Sequence, residues 1–532
     1  MAHRKKTLLR LAPLWMAAAL LLGIGWISSD AQEAPVTLPT DTAAAGAGAA
    51  VAPAPGTGAP AAPAPESGVV EPTEPGIAPG QDVSVAQRAR IAREQARGGT
   101  PVEKATSLLG LLVFVAVAWA LSVNRRAVQW RVVAWGLGLQ FLFAVIILLT
   151  GPGRAFFDAL NGVFVALLGY TNEGAAFLFG NLVRPNVPVG PAEGPFGAVG
   201  ATGTWANTGA LFAFSVLPTI IFFSSLMTLL YHLGIMQLFV KAFAWLMVRT
   251  MGTSGSESLN AAGNIFVGQT EAPLLVKPFV RTMTNSELHA VMTGGFATVA
   301  GGVMAAYVGM LVAFFPDIAG HLIAASVMSA PAALAISKIM YPETEESVTR
   351  GDIRIELEKT DANVIDAAAR GASEGLGLAL NVGAMLLAFI ALLALLNGVV
   401  SWTAGLFGAE LTIQMILGWI GAPIAWLMGT PWQDAQAVGV LIGEKTALNE
   451  FVAYLHLANM LQGGEDLSAR AVVIATYALC GFANFSSIAI QIGGIGGLAP
   501  ERRQDLSRLG LRAMIGGTLA AFMTACVVGI LL

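Results

Sequence analysis

Charge is what this chain has least of. Only 12% of its 532 residues are Asp, Glu, Lys or Arg, against about 25% in a soluble domain. Hydrophobic residues make up 55%, and the mean hydropathy is +0.69. One soluble core cannot hide that much apolar surface, so lipid must solvate part of it. Several runs reach the roughly 20 apolar residues that cross a bilayer. Cysteine is nearly absent: Cys480 and Cys526 both sit in apolar runs, which argues against a disulfide framework. Five scattered histidines and two cysteines offer no zinc spacing. The net charge of −4 carries no sign of nucleic-acid binding.

The N-terminus reads as a targeting segment. Arg4, Lys5, Lys6 and Arg10 precede an apolar run from Leu11 to Ile27, and Ser28, Ser29 and Ala31 come after it. Residues 1–30 are therefore a signal peptide or an uncleaved anchor, and either exports the residues beyond it. Residues 31–98 are rich in Ala, Pro and Gly. Such a stretch buries no core, so a disordered periplasmic linker is expected.

The membrane part is all-α. Spanning helices are predicted near 106–123, 132–150, 209–231, 288–313, 317–338, 375–400, 469–494 and 508–531. Two further apolar stretches, 257–282 and 434–460, are interrupted by polar, Gly and Pro residues and read as re-entrant hairpins. With both hairpins returning to the face they entered by, the basic loops fall on one side. These loops carry Arg125, Arg126 and Arg131, then Lys241, Arg249 and Arg281, then Lys338, Arg350 and Arg354, and finally Arg502, Arg503, Arg508 and Arg512. That side is cytoplasmic, and the C-terminus is periplasmic. Span, hairpin and two spans then occur twice, in 209–345 and 375–532, with opposite orientation. A cytoplasmic linker, 346–374, joins them, and 99–208 supplies N-terminal scaffold helices and interfacial segments. Eight transmembrane helices with two opposed hairpins form an inverted repeat, a plan whose solute and ion sites lie near the midplane.

Chemistry concentrates where the apolar pattern breaks. The first hairpin reads Asn264-Ile-Phe-Val-Gly-Gln269-Thr270-Glu271-Ala-Pro273. A carboxylate at that depth costs a few kcal/mol and needs a partner or a water cavity. The next span carries Gly294, Gly295, Thr298, Gly301 and Gly302. Such dense glycine either unwinds the helix, freeing carbonyls, or lets helices pack closely. The second hairpin holds Glu444, Lys445, Asn449 and Glu450. Glu450 is a midplane carboxylate, whereas Glu444 and Lys445 face a helix end or pair with each other. In the seventh span Asn484 and Ser487 share a helix face. His289 and His456 lie near element ends, where an interfacial role is expected. Two carboxylates, two amides and several hydroxyls suit a neutral polyhydroxylated solute with a heteroaromatic part. Carboxylates accept from sugar hydroxyls, amides read base edges, and Phe482 offers an apolar face.

Gly263-Asn-Ile-Phe-Val-Gly-Gln-Thr-Glu-Ala-Pro, Leu448-Asn-Glu-Phe-Val-Ala, Cys480-Gly-Phe-Ala-Asn-Phe-Ser-Ser-Ile and Val216-Leu-Pro-Thr-Ile-Ile-Phe-Phe-Ser-Ser resemble the signatures of the concentrative nucleoside transporters. The resemblance covers roughly 105–532. It implies a bacterial eight-span form in the inner membrane, a homotrimer, with a fixed scaffold and a transport domain that moves as an elevator. It also implies import of a nucleoside coupled to sodium, with no other cofactor. Gln269, Thr270 and Glu271 would contact the nucleobase, with Val303 and Phe482 lining it. Glu450, Asn484 and Ser487 would bind the ribose. Sodium would be held by the carbonyls of Asn264, Val267 and Val299 and the hydroxyl of Thr298. Proton coupling through a carboxylate is the near alternative. A membrane-embedded hydrolase would need paired aspartates or a Ser-His pair at depth, and neither is evident; a channel or receptor would not accumulate solute uphill.

Overall fold

In the computed structural model, residues 98–183, 186–188, 205–207, 212–350 and 361–532 are described. The expected leader, and all of the expected linker except Gly98, lie outside them. Helix α1 (Pro101–Ala120) opens on a capping box, in which the Thr100 hydroxyl accepts from the Glu103 amide. α2 (Trp130–Leu149) and α3 (Gly151–Phe179) come next. A two-stranded antiparallel pair, Asn186–Pro188 with Trp205–Asn207, precedes α4 (Leu217–His232). Gly234, at φ +83°, turns the chain into α5 (Ile235–Met251).

Both hairpins form. The first descends through α6 (Gly255–Gly263), bends through 264–271, and returns by a 3-10 turn (Ala272–Val276) and a short helix (Lys277–Val280). Pro273 lacks an amide hydrogen and helps keep the return from becoming one regular helix. Next comes a span broken in two, α7 (Asn285–Ala297) and α8 (Gly301–Leu311), and then the intact α9 (Ile318–Met340). The second half repeats that order. α10 (Val364–Gly405) and α11 (Ile413–Leu427) lead into a hairpin of α12 (Trp432–Ala447) and α13 (Glu450–Gln462). The broken α14 (Ala469–Leu479) and α15 (Phe485–Leu498) come after it, and α16 (Arg503–Leu531) closes the chain.

Eight helices among the described residues are long and apolar enough to span a bilayer, but they are not the eight read from the sequence. Gly151–Val183 qualifies although no span was expected there. The span expected at 469–494 is divided, each piece too short to cross. The sixth span is also longer than expected, for α10 begins at Val364, inside the stretch expected to be linker. Asp366, Arg370 and Glu374 make that first part polar, which hides it from a hydropathy reading. Their spacing of four puts them on one face, and Arg370 pairs with Glu374 at 2.7 Å. On an adjoining face α10 packs on α4. A methyl at Gly371 or Gly375 would stand 2.6–2.8 Å from Ser224, Ser225, Ile221 or Thr228 atoms, the small-residue close approach of membrane helices.

Candidate functional site

Each hairpin tip meets the break of a neighbouring span. At the first break Thr298 (φ −122°, ψ 167°) and Ala300 (φ −68°, ψ 141°) are extended, so the helical ladder is interrupted. The hairpin fills the gap, with the Phe266 carbonyl accepting from the Gly301 amide at 3.0 Å. The glycines serve both purposes left open by the sequence. They flank an unwound segment, and they admit the hairpin: a methyl on Gly295 would lie 2.9 Å from Gln269 Cβ, and one on Gly294 would lie 3.2 Å from Asn264 Nδ2.

The second break, at 480–484, lies against the first. Gly481 has φ +106°, and a Cβ there would meet the Phe296 carbonyl at 2.6 Å. Asn484 then caps α15, its Oδ1 accepting from the Ser487 amide at 2.9 Å. The other side of the break, the C-terminal end of α14, is served by Lys445, whose ammonium donates to the carbonyls of Ala478 (2.9 Å) and Cys480 (3.3 Å). A cation on terminal carbonyls is the favourable polarity for a helix C-terminus. Of the two roles open for Lys445, the structure realises the helix end. Glu444 pairs instead with His456 at 2.8 Å.

Glu450 is the first residue of α13, where the helix dipole favours an anion. It is 5% exposed, and both oxygens are engaged. Tyr307 donates to Oε1 at 3.0 Å and Asn484 Nδ2 to Oε2 at 2.8 Å. From Asn484 the contacts continue through Ser487 to the first hairpin. Gln269 Nε2 donates to Ser487 Oγ at 3.2 Å, and Gln491 Nε2 donates to Gln269 Oε1 at 2.9 Å. Gln269, Glu450 and the Asn484–Ser487 pair, drawn from three separate segments, thus form one buried polar chain, and Val303 and Phe482 are buried in the apolar core.

Thr270 and Glu271 are not part of that chain. Thr270 Oγ1 donates to Glu271 Oε1 at 3.0 Å. Both residues face a cavity of about 500 Å³ whose opposite wall comes from α4 and α10. Glu271 is exposed to it.

Of the four groups expected to hold an ion, Asn264 and Val267 belong to the first hairpin's bend and Thr298 and Val299 to the break that it meets. Thr298 donates its hydroxyl hydrogen to the Gly294 carbonyl at 2.9 Å, which leaves its oxygen lone pairs free to accept. Among the described residues no backbone amide donates to the carbonyls of Asn264, Val267 or Val299, and both ends of the Asn264 amide are buried without a hydrogen-bond partner. Oxygen-only donors of this kind suit a hard cation. Among the described residues, no three His, Cys, Asp or Glu side chains are placed together to hold a metal ion.

Two members of the polar chain escaped the sequence reading. Tyr307 is a lone hydroxyl in an apolar run. Gln491 lies four residues beyond Ser487 and seven beyond Asn484, so helical spacing carried the signal. His289, near the start of α7, is fully buried and bonded to Ser337 at 2.7 Å. Its place at a helix start concealed that α9 covers it.

Comparison with known proteins agrees with this architecture. Residues 109–182 match the family model described as "Na+ dependent nucleoside transporter N-terminus", 213–314 match "Nucleoside recognition", and 321–529 match "Na+ dependent nucleoside transporter C-terminus". An uncharacterized transporter of Haemophilus influenzae is 46% identical over 429 residues, covering 80% of this chain and 97% of that protein. The chain belongs to the sodium-dependent nucleoside transporter family. Its kin are transporters, not enzymes, and it is a multi-pass membrane protein. Rat sodium/nucleoside cotransporter 1 is 44% identical over 81% of this chain, which spans 64% of that relative's length. Among solved structures of the family, CNTnw in an inward-facing substrate-bound state aligns with a TM-score of 0.70 at 44% identity, covering 80% of this chain and 97% of that one. A substituted CNTnw in an outward-facing state aligns with a TM-score of 0.72 at 43% identity, covering 81% and 98%.

Proposed function

We propose that this protein imports nucleosides across a bacterial inner membrane, coupled to sodium. The observation that carries this reading is the buried chain from Gln491 and Gln269 through Ser487 and Asn484 to Glu450. It joins the two hairpins through the seventh-span break and presents donors and acceptors in an apolar setting. In the proposed complex Glu450, Asn484 and Ser487 take the ribose hydroxyls. Gln269, Thr270 and Glu271 read the base edge, and Val303 and Phe482 line its faces. A neutral solute fits this site, since among the described residues no cation stands free beside the chain to receive a phosphate: Lys445 is committed to two carbonyls.

Sodium supplies the coupling. Held by Thr298 Oγ1 and the carbonyls of Asn264, Val267 and Val299, it would tie the first hairpin tip to the unwound span. Gln269 and Glu271 belong to that tip, so ion binding organises the base-reading groups, and solute binding in turn favours the ion. The similarity of the chain to structures described as inward-facing and outward-facing supports alternating access. We read the movement as an elevator of the hairpins and broken spans against a fixed scaffold, in a homotrimer, with the N-terminal linker and the C-terminus periplasmic.

The test is uptake of radiolabelled uridine and adenosine into proteoliposomes, with sodium and proton gradients imposed separately. Accumulation driven by sodium is expected. Accumulation that follows a proton gradient and ignores sodium would replace the ion, and no accumulation would overturn the reading.

A further inference from the structure

The cavity facing Glu271 has a second wall with no part in the site proposed above. It is formed by the end of α4, the start of α5 and the first turns of α10. Three buried polar atoms on this wall have no hydrogen-bond partner among the described residues: Tyr231 Oη, His232 Nδ1 and Gln237 Oε1. Among the described residues, the carboxylate nearest His232 Nδ1 is that of Asp361, at 4.0 Å. Gln237 is held in place from its other end, its Nε2 donating to the Tyr231 carbonyl at 2.5 Å. A buried polar atom left unsatisfied is destabilising, so three around one cavity call for an occupant. A phenol can donate, an amide oxygen accepts, and an imidazole nitrogen does either according to tautomer. Together they match a solute that carries both donors and acceptors.

The charges nearby narrow the solute further. Arg370 is held by Asp361 (2.6 Å) and Glu374 (2.7 Å), and Glu271 adds a third carboxylate to the cavity. Three carboxylates against one guanidinium leave the cavity lining net negative, which repels phosphates and admits neutral solutes. Its volume of about 500 Å³ falls within the usual range for a small-molecule site.

We propose that this wall forms a second nucleoside-binding station, adjoining the first and sharing Thr270 and Glu271 with it, which the solute occupies on its way to the cytoplasm. The inference rests on the nucleoside reading above. Lys241 and Arg249 on α5 put this end of α4 on the cytoplasmic side by the basic-loop rule. A solute leaving the buried chain would exchange Gln269 for Tyr231 and Gln237 without losing Glu271, so no step leaves it fully stripped of partners.

The test is asymmetric exchange of radiolabelled uridine by the full chain in oriented proteoliposomes, with sodium saturating. Two variants are compared with the wild type: Tyr231→Phe, which removes one oxygen, and Tyr231→Phe combined with Gln237→Met. The half-saturation for uridine on the cytoplasmic side should rise about fivefold per lost hydrogen bond, with the periplasmic value unchanged within about twofold. Equal values on both sides in all three proteins would overturn the station and leave a water-filled vestibule. Parallel changes on both sides would overturn it too, marking a merely structural role. A wild type that exchanges no nucleoside would overturn the function proposed above, and this inference with it.

Discussion

Asn484 reaches Glu450 across 2.8 Å from the opposite side of a helix break. One residue caps the second half of a broken span, and the other begins the second arm of a hairpin. The asparagine uses its oxygen on its own helix and its nitrogen on the carboxylate. A single side chain therefore fixes where the span resumes and where the hairpin sits. Loosening that bond would loosen the positions of Ser487 and Gln269 as well.

Replacing Glu450 by Gln keeps the shape and removes the charge. Charge-assisted hydrogen bonds are worth about 1.5–3 kcal/mol, so uridine affinity should fall by about ten- to a hundredfold. If the carboxylate reads ribose hydroxyls, 2′,3′-dideoxyuridine, which lacks them, should lose much less. Equilibrium binding of both ligands to the purified variant checks this, and equal losses would remove Glu450 from the ribose.

Gln491→Leu tests the other end of the buried chain. It strips Gln269 Oε1 of its donor while preserving bulk. We expect about a fivefold loss of affinity, the size of one neutral hydrogen bond, and the same loss for uridine and its dideoxy analogue. A loss confined to uridine would move Gln491 to the sugar side.

Much of this arrangement was legible in the sequence, for identifiable reasons. The hairpins announced themselves because Glu271 and Glu450 interrupt apolar runs, and a carboxylate at membrane depth has few explanations. The helix breaks were half legible: dense glycine at 294–302 allowed either unwinding or close packing, and the fold uses both. Hydropathy missed the first turns of α10, because the Asp366–Arg370–Glu374 stripe looks like a linker until its four-residue spacing is noticed. It passed over Gly151–Val183, whose apolar pattern is diluted by Arg154, Asp158 and Glu173. Tyr307 could not be found from spacing, since it meets Glu450 only through tertiary packing, stacked on Tyr454 at 4.3 Å.

Thr298→Ala separates ion from solute. The hydroxyl is the only side-chain donor among the four proposed sodium ligands, so its loss should raise the sodium half-saturation about tenfold, the scale seen when a metal site loses one supporting group. Uridine affinity measured at saturating sodium should stay near wild type. Sodium titrations of uptake at fixed uridine check this, and an unchanged sodium dependence would relocate the ion.

Gly481→Ala tests whether the two breaks must touch. Gly481 sits at φ +106°, which alanine rarely adopts, and the new methyl would stand 2.6 Å from the Phe296 carbonyl and 2.8 Å from that of Ala297. Backbone strain and overlap each cost about 1–3 kcal/mol. Neither can relax cheaply, because the obstructing atoms are backbone at the end of α7, next to Thr298. The variant should melt several degrees lower in detergent and lose both uridine affinity and sodium affinity, since the displaced carbonyls adjoin the proposed ion site and Gly481 adjoins Phe482. Gly497→Ala, on the same broken span but with open space around its Cβ position, controls for the added methyl and should behave as wild type. Equal melting and uptake for the two variants would mean that the breaks move independently and that coupling does not pass through their contact.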